Sequence, residues 1–395
     1  MSKPVSVALI GSGFAANFHA HCYARCQGVR LAGVYGRNPE KAASFAKRHH
    51  IGRVFNSLDE IFADREVDAV DICVPNHLHP ELCIQAASAG KHMLCEKPLT
   101  GYFSQDTSIR IGDTVRRADM MEVVMSETAR VLKAIDQAGV IFCYGENWIY
   151  APAIQKANRL LAATNPAILR LVGGESHSGS HSDAAKQWAT SGGGSLMMKA
   201  CHPLGAVLYL KAEEGRRRSG KPVRPATVVA EAARLTSIDA FVREDPKWIK
   251  TGWKDVEDWG AMLVTFEDGS VAEISAADTT LGGVRNFLEI YASRLRMHCN
   301  INPNDALVAY TPDGSVYGDE YISEKIETKT GWSFPGPDED WITGYPAEVQ
   351  DFVSAIAEKR APLCGAEVAR DTALVTYGAY VAIEEGRRVD LRRWW

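Results

Sequence analysis

One short run restricts this chain more than any other: an apolar strand, the spacing G-x-G-x-x-A, then a helix. In "VALIGSGFAANFHA" the spaced residues are Gly11, Gly13 and Ala16, with Phe14 and Ala15 between them. The first glycine permits a tight turn, the second lets a ligand approach the backbone, and the small third residue packs the helix against the strand. Free N–H groups and the dipole at the helix start suit a pyrophosphate. Position makes the motif specific, because it opens an alternation. "VSVALIG", "LAGVYG", "DAVDICV", "HMLCE" and "VIFCYG" read as strands separated by helical patterns, which predicts a parallel sheet covered by helices. We therefore expect a dinucleotide-binding α/β Rossmann domain over residues 1–145.

One stretch breaks that rhythm. Between "CEKPLT" and "SETARVLKAIDQAG" lie the residues of about 101–125, where a short connection would suffice. They read as an insertion, either a lid or a surface elaboration. After Tyr150 comes a helix, "PAIQKANRLLAA", and then longer strands: "AILRLVGGES", "ATVVAEAARL", "WGAMLVTFEDG", "SVAEISAAD", "NFLEIYAS" and "LRMHCNI". Their alternation and Asp-Gly turn predict a large, mostly antiparallel open sheet in an α+β domain over residues 146–395. "EEGRRRSGKPVRP" reads as a basic surface loop, and "PAEVQDFVSAIAEKR" and "AEVARDTALVTYGAYVAIEEGRR" as closing helices.

The formal net charge of the 395 residues is -5, so no basic field exists to hold nucleic acid or an anionic membrane. No apolar run reaches a membrane span, and "MSKPVSVALIGSG" enters a strand without a signal-like leader. The 9 cysteines show no paired framework, which fits a reducing cytoplasm. Cys22 and Cys26 lack a second ligand pair, so no metal centre is expected.

The strand "LAGVYGRNPEK" should end in an acid if the cofactor is NAD. Gly36 and Arg37 stand there instead, with Asn38 and Lys41 following. A guanidinium suits a 2′-phosphate, and Lys41 would add a second cation; Arg37 could equally stack on adenine, so NAD and NADP both stay open, with a lean to NADP. "DICVPNHLHP" brings Pro75, Asn76 and His79 to the carboxyl edge of the sheet, where cofactors bind. His79 is assigned to packing or support on the nicotinamide side. "HMLCEKP" ends the next strand at Glu96 and Lys97. A lysine there can hold a substrate oxygen and stabilise negative charge as hydride moves.

Taken in order, "GSGFAANFHAH", "EVDAVDICVPNHLH", "GKHMLCEKPLT", "GGGSLMMKACHPLGAVLYL" and "PAEVQDFVSAIAEKR" resemble the glucose-fructose oxidoreductase, inositol dehydrogenase and rhizopine catabolism (Gfo/Idh/MocA) family. The resemblance spans nearly the whole chain outside the insertion and loops. It implies NAD(P)-dependent oxidation or reduction of a sugar or cyclitol carbon by a homo-dimer or homo-tetramer. It also implies that Lys97 binds the reacting oxygen and His202 exchanges its proton. The family typically has an aspartate four residues before that histidine, where this chain has Met198.

An imidazole accepts and returns a proton near neutrality, so His202 keeps its chemistry. Methionine cannot replace the acid, and substrate orientation then passes to Asn147, Tyr150, His177, His181 or Lys199. Lys199 suggests a more anionic or differently placed substrate. In "GGESHSGSHSDAAKQW", His177 and His181 would bond a polyhydroxylated ligand, with Trp188 as a flat platform for a sugar face. The expected activity is thus NAD(P)-dependent hydride transfer at a secondary hydroxyl or ketone of a sugar, sugar acid or cyclitol. Two alternatives use the same parts: a glycoside hydrolase with tightly held NAD that oxidises, eliminates and re-reduces, and a non-catalytic dinucleotide sensor or scaffold.

Overall fold

The structure is a computed structural model and describes residues 3–302 and 307–395. Five strands form a parallel sheet: β1 (Val5–Ile10), β2 (Val29–Tyr35), β3 (Ala69–Ile72), β4 (His92–Glu96) and β5 (Phe142–Gly145), in the order β2-β1-β3-β4-β5. β1, β3 and β5 are buried along their whole length, which is why they read as mainly apolar runs, interrupted by Ser6 and Asp71, rather than as alternations. The order reverses at β1, so its carboxyl end and that of β3 open the crevice where this architecture takes ligands.

The second sheet has seven strands: β6 (Ile168–Ser176), β7 (Pro225–Ala233), β8 (Trp259–Phe266), β9 (Val271–Ala277), β10 (Arg285–Ala292), β11 (Arg296–Asn300) and the short β14 (Val389–Asp390), ordered β11-β10-β6-β9-β8-β7-β14. Only β6 and β9 pair in parallel; the other pairs are antiparallel. β12 (Ala309–Thr311) and β13 (Gly331–Ser333) make a separate hairpin. Alternation in β8 and β9 buries one face of the sheet and leaves the other open, with Leu263 exposed; the helix Cys201–Ser219 packs on β6 and β9 and the helix Ala366–Glu385 on β7, and Leu169 of β6 is exposed as well. The Rossmann sheet and the mostly antiparallel open sheet are those the strand patterns predict.

Val349, Phe352 and Val353, on the helix Tyr345–Glu358, join the core formed by Val5, Val7, Leu9 and Ala16. The chain thus returns to the first sheet before its last helix.

Two local expectations are corrected. The helix expected to begin near Ser126 runs from Arg117 to Ala138. Met120, Met121, Val124 and Met125 continue its buried face through Thr128, Val131 and Ile135, so the later part of the 101–125 stretch is core helix. The earlier part is tied down: Tyr102 N–H donates to Tyr377 Oη (2.7 Å), Ser104 N–H to the Ala189 carbonyl (3.1 Å) and Gly112 N–H to Asp255 Oδ2 (2.9 Å). The basic loop is also partly helix. Arg216, Arg217 and Arg218 form the last turn of Cys201–Ser219, where cations face the negative end of the dipole, and Arg216 pairs with Glu213 and Glu367, each at 2.7 Å.

Gly11 carries the turn after β1. Its φ is +121°, and a Cβ there would lie 2.2 Å from the Cys73 carbonyl oxygen. Gly11→Ala is expected to cost about 3 kcal/mol or more through left-handed strain and overpacking, read as a lowered denaturation midpoint with an unchanged slope.

Candidate active site

Above the carboxyl ends of β1 and β2 lies a cavity of about 390 Å³ lined by Gly11, Gly13, Gly36, Arg37, Asn38 and Lys41, with Pro75 and His77 on the β3 side. Gly13 has open space where a Cβ would be. It precedes the helix Phe14–Arg25, whose start carries no side-chain cap and no acid, so N–H groups stay free for an anion. Asn38 Oδ1 instead caps the next helix by accepting from Lys41 N–H at 2.9 Å. At Gly36 a Cβ would strike Ser12 Oγ at 2.8 Å. Among the described residues no acidic side chain pairs with Arg37 or Lys41. These features fit a dinucleotide: backbone for the pyrophosphate, two cations and no acid at the adenosine end.

Ala16 is buried against the sheet and Ala15 packs beside it, whereas Phe14 projects outward with its ring 4.8 Å from that of Phe18. His79 does not reach the cavity. It is fully buried between the Pro98 carbonyl (2.7 Å from Nδ1) and the Val74 carbonyl (2.9 Å from Nε2), and burial lowers its pKa. His77 lines the cavity in its place. Asn76 bridges instead to the second domain, its Nδ2 donating to the Ser191 carbonyl at 3.3 Å and to Met198 Sδ at 3.7 Å.

Glu96 is turned inward as well. His19 Nε2 lies 3.1 Å from its Oε1, and its Oε2 accepts the Lys97 N–H at 3.0 Å. Asp71 Oδ2 takes the other side of the His19 ring at 2.8 Å. Burial works to lower the His19 pKa, but Asp71 and Cys73 outweigh it and hold it well above the ordinary value. Burial works to raise Glu96, and the His19 hydrogen bond and charge keep it low. An ionised carboxylate therefore sits at the root of Lys97.

The Lys97 side chain crosses to the second domain, where Nζ donates to the Met198 carbonyl at 3.0 Å. Burial acts to lower its pKa, and Cys201, Glu96, Glu175 and Glu146 together raise it. Burial pushes the Cys201 thiol up, which keeps it neutral, so the three carboxylates supply the field. Lys97 is a permanent cation at working pH.

His202 stands in the first turn of Cys201–Ser219. Glu146, just past β5, faces its Nδ1 at 2.8 Å, which orients the ring, and Trp148 stacks on it at 5.9 Å and 18°. Its Nε2 faces Glu175 Oε2, 4.0 Å away. This edge opens into a second, smaller cavity of about 150 Å³ with Phe14, Phe18 and Tyr345 on the apolar side and Asn147, Glu175, His177 and Asn286 on the polar side. Asn147 Nδ2 is anchored on the Thr343 carbonyl at 2.8 Å. His177 is held neutral by burial first and by Lys199 and Lys325 next, with Nδ1 accepting from Gly179 N–H at 2.9 Å.

Other expected substrate residues lie elsewhere. Trp188, 1% exposed, packs on Tyr380 at 4.7 Å beneath Arg117 at 4.2 Å and borders a separate cavity of about 300 Å³. Tyr150 is core: its hydroxyl donates to Asp351 Oδ2 and accepts from Cys364 N–H, both at 3.0 Å. His181 is on an exposed loop outside the cavity. Lys199 is locked in a buried pair with Asp278 Oδ1 at 2.6 Å, while Asp278 Oδ2 accepts from Ser195 Oγ at 2.6 Å. The lysine is therefore not free for an anionic substrate.

Glu146, Glu175, Phe18, Tyr345 and Asn286 went unseen in the sequence. Glu146 carried a readable signal, since it ends "VIFCYGE" at the same sheet edge as Lys97. Glu175 sits two residues before His177 and so shares its face of the strand.

Residues 5–127 match the family model GFO_IDH_MocA, described as an oxidoreductase family with an NAD-binding Rossmann fold. An uncharacterized oxidoreductase of Rhizobium meliloti is 49% identical over 73 residues, 18% of this chain and 22% of that protein. The levoglucosan dehydrogenase of Pseudarthrobacter phenanthrenivorans is 26% identical over 385 residues, 90% of each chain. The crystal structure of GenD2 from gentamicin A biosynthesis, in complex with NAD, shares the fold with a TM-score of 0.77 at 24% identity, covering 99% of this chain and 97% of that one. With the glycine-rich turn and the strand-end lysine in place, residues 5–127 of this chain match the Gfo/Idh/MocA family of oxidoreductases, and nearly the whole chain is similar to a levoglucosan dehydrogenase.

Proposed function

We propose that the chain oxidises a secondary hydroxyl of a sugar, sugar acid or cyclitol, or reduces the matching ketone, with NAD(P). The observation that carries this reading is the pairing of a permanent cation from β4 with a carboxylate-oriented imidazole from the second domain, beside a cavity small enough for one ring. The dinucleotide supplies or accepts the hydride. In the oxidising direction His202 Nε2 takes the hydroxyl proton while Glu146 stabilises the resulting imidazolium, and the Lys97 ammonium stabilises charge on the oxygen. The similarity to levoglucosan dehydrogenase supports a carbohydrate substrate. No helix among the described residues is long and apolar enough to cross a membrane. We place the chain in the cytoplasm, with its free cysteines, and as a homo-oligomer joined through the open sheet face around Leu169 and Leu263; light scattering on the purified protein tests the latter.

A panel of sugars and cyclitols with NAD⁺ and with NADP⁺, followed by absorbance of the reduced nicotinamide, tests the activity. Steady reduction with at least one polyol is expected, and none in either direction would overturn it. The charges at the end of β2 support NADP as the better cofactor. Arg37→Asp should raise KM for NADP about 10–100-fold, the loss of a charge-assisted phosphate contact, and leave NAD little changed. An equal effect on both cofactors would assign Arg37 to adenine stacking.

A further inference from the structure

Among the described residues, the wall of the cavity beside His202 carries Glu175, Glu324 and Glu339 and no lysine or arginine. Glu175 and Asn286 are cross-strand partners on β6 and β10, so their side chains stand next to one another on one face. Glu175 Oε2 and Asn286 Oδ1 are both buried with no hydrogen-bond partner, and Asn286 is only 5% exposed. A buried acceptor without a donor is costly, and a buried charge more so.

The cations that could answer these acceptors from within the protein are committed. Lys97 is bonded to the Met198 carbonyl and Lys199 to Asp278, and Lys325 lies 3.5 Å from Glu324. Glu339 has hydrogen bonds from Tyr321 Oη (2.7 Å) and Glu324 N–H (3.1 Å) but no cation. His177 is neutral, and His202 gives its Nδ1 to Glu146 while its Nε2 stands 4.0 Å from Glu175 Oε2, beyond hydrogen-bond reach. Hydroxyl donors would fill the acceptor sites, but burial pushes the Glu175 carboxyl up against the pull of His202 and Lys97, so its ionised form gains from a further cation. A protonated amine would satisfy both, through charge-assisted hydrogen bonds.

We propose that the substrate is a polyol ring bearing a protonated amine, an amino sugar or aminocyclitol, whose ammonium is bound by Glu175 and Asn286. This rests on the dehydrogenase reading for the position of the reacting carbon, which faces Lys97 and His202. The amine sits on a different carbon, because the Lys97 ammonium would repel it. The anionic substrate that Lys199 suggested in the sequence is replaced by its opposite.

Calorimetry on the full chain with dinucleotide added tests this without requiring turnover. The probes are glucose and its 2-, 3- and 6-amino-deoxy counterparts, with scyllo-inositol and its monoamine. At least one amine is expected to bind about tenfold or more tighter than its alcohol, and Glu175→Gln to remove that advantage, with dinucleotide binding reporting that the variant is folded. Should that variant not fold, the unaltered protein gives the same answer: the advantage fades as pH rises through the ligand amine's own pKa, and alcohol binding does not follow it. If no amine binds tighter than its alcohol, or the advantage survives Glu175→Gln, the inference is overturned. Turnover of the alcohols in that event would leave the dehydrogenase reading standing. Tighter amine binding with no dinucleotide reduction would uphold the ammonium site and sink the dehydrogenase.

Discussion

Lys97→Ala lowers kcat/KM by about 10²–10³-fold, the cost of removing one preorganised donor from a developing oxyanion, with dinucleotide affinity unchanged. The residue is suited to that task by its surroundings. Glu96, ionised through its contact with His19, accepts the Lys97 backbone N–H, and Glu146 and Glu175 add to the field that keeps the ammonium charged. The lysine therefore does not shed its proton at working pH, and it contributes no basic limb to the pH profile below the ordinary lysine range. Lys97→Arg is not a rescue, because a planar fork replaces a point charge at a site that already uses one donor on the Met198 carbonyl. Steady-state kinetics in both directions, with titration of dinucleotide binding alongside, checks the whole expectation. A Lys97→Ala protein with full activity would remove the proposed mechanism.

His202→Ala is expected to lower kcat by about 10²–10⁴-fold, the usual scale of general acid–base catalysis. In alcohol oxidation the imidazole accepts the hydroxyl proton, so the loss should fall on kcat rather than on dinucleotide binding. Glu146→Gln supplies the companion measurement. It keeps the size of the group facing Nδ1 and removes the charge that stabilises the imidazolium, so kcat should fall while the KM for dinucleotide stays. A His202→Ala protein that retains the parental kcat would show that another group carries the proton.

Much of this molecule is local in character and was therefore legible. Strands β1, β3 and β5 are mainly apolar runs because helices cover both sheet faces, and β8 and β9 alternate because one face is open. The turn at Gly11 and the approach at Gly13 are backbone properties of single residues. Lys97 stood out because it follows a strand at a readable edge, and His202 because its segment resembles the family's.

Partnership between distant residues was not legible. Lys199 looked like a free cation until Asp278 was found 2.6 Å from it. Trp188 and Trp148 are equally aromatic in sequence, yet packing beneath Arg117 removes the first from the site and stacking on His202 puts the second in it. His79 and His77 differ by two positions, and the turn before the helix His79–Ser88 buries one and points the other into the cofactor cavity.

The residue sequence alone therefore determined the two sheet types and the glycine-rich turn after the first strand, since these follow from periodicity, spacing and backbone freedom within a few residues, while the pairing of Lys97 with His202 came from the family resemblance. Only the tertiary structure decided which unpartnered acceptors meet in the cavity beside His202. Glu175 and Asn286 arrive there from two different strands, and which polar groups stay without a partner depends on how the chain closes around them.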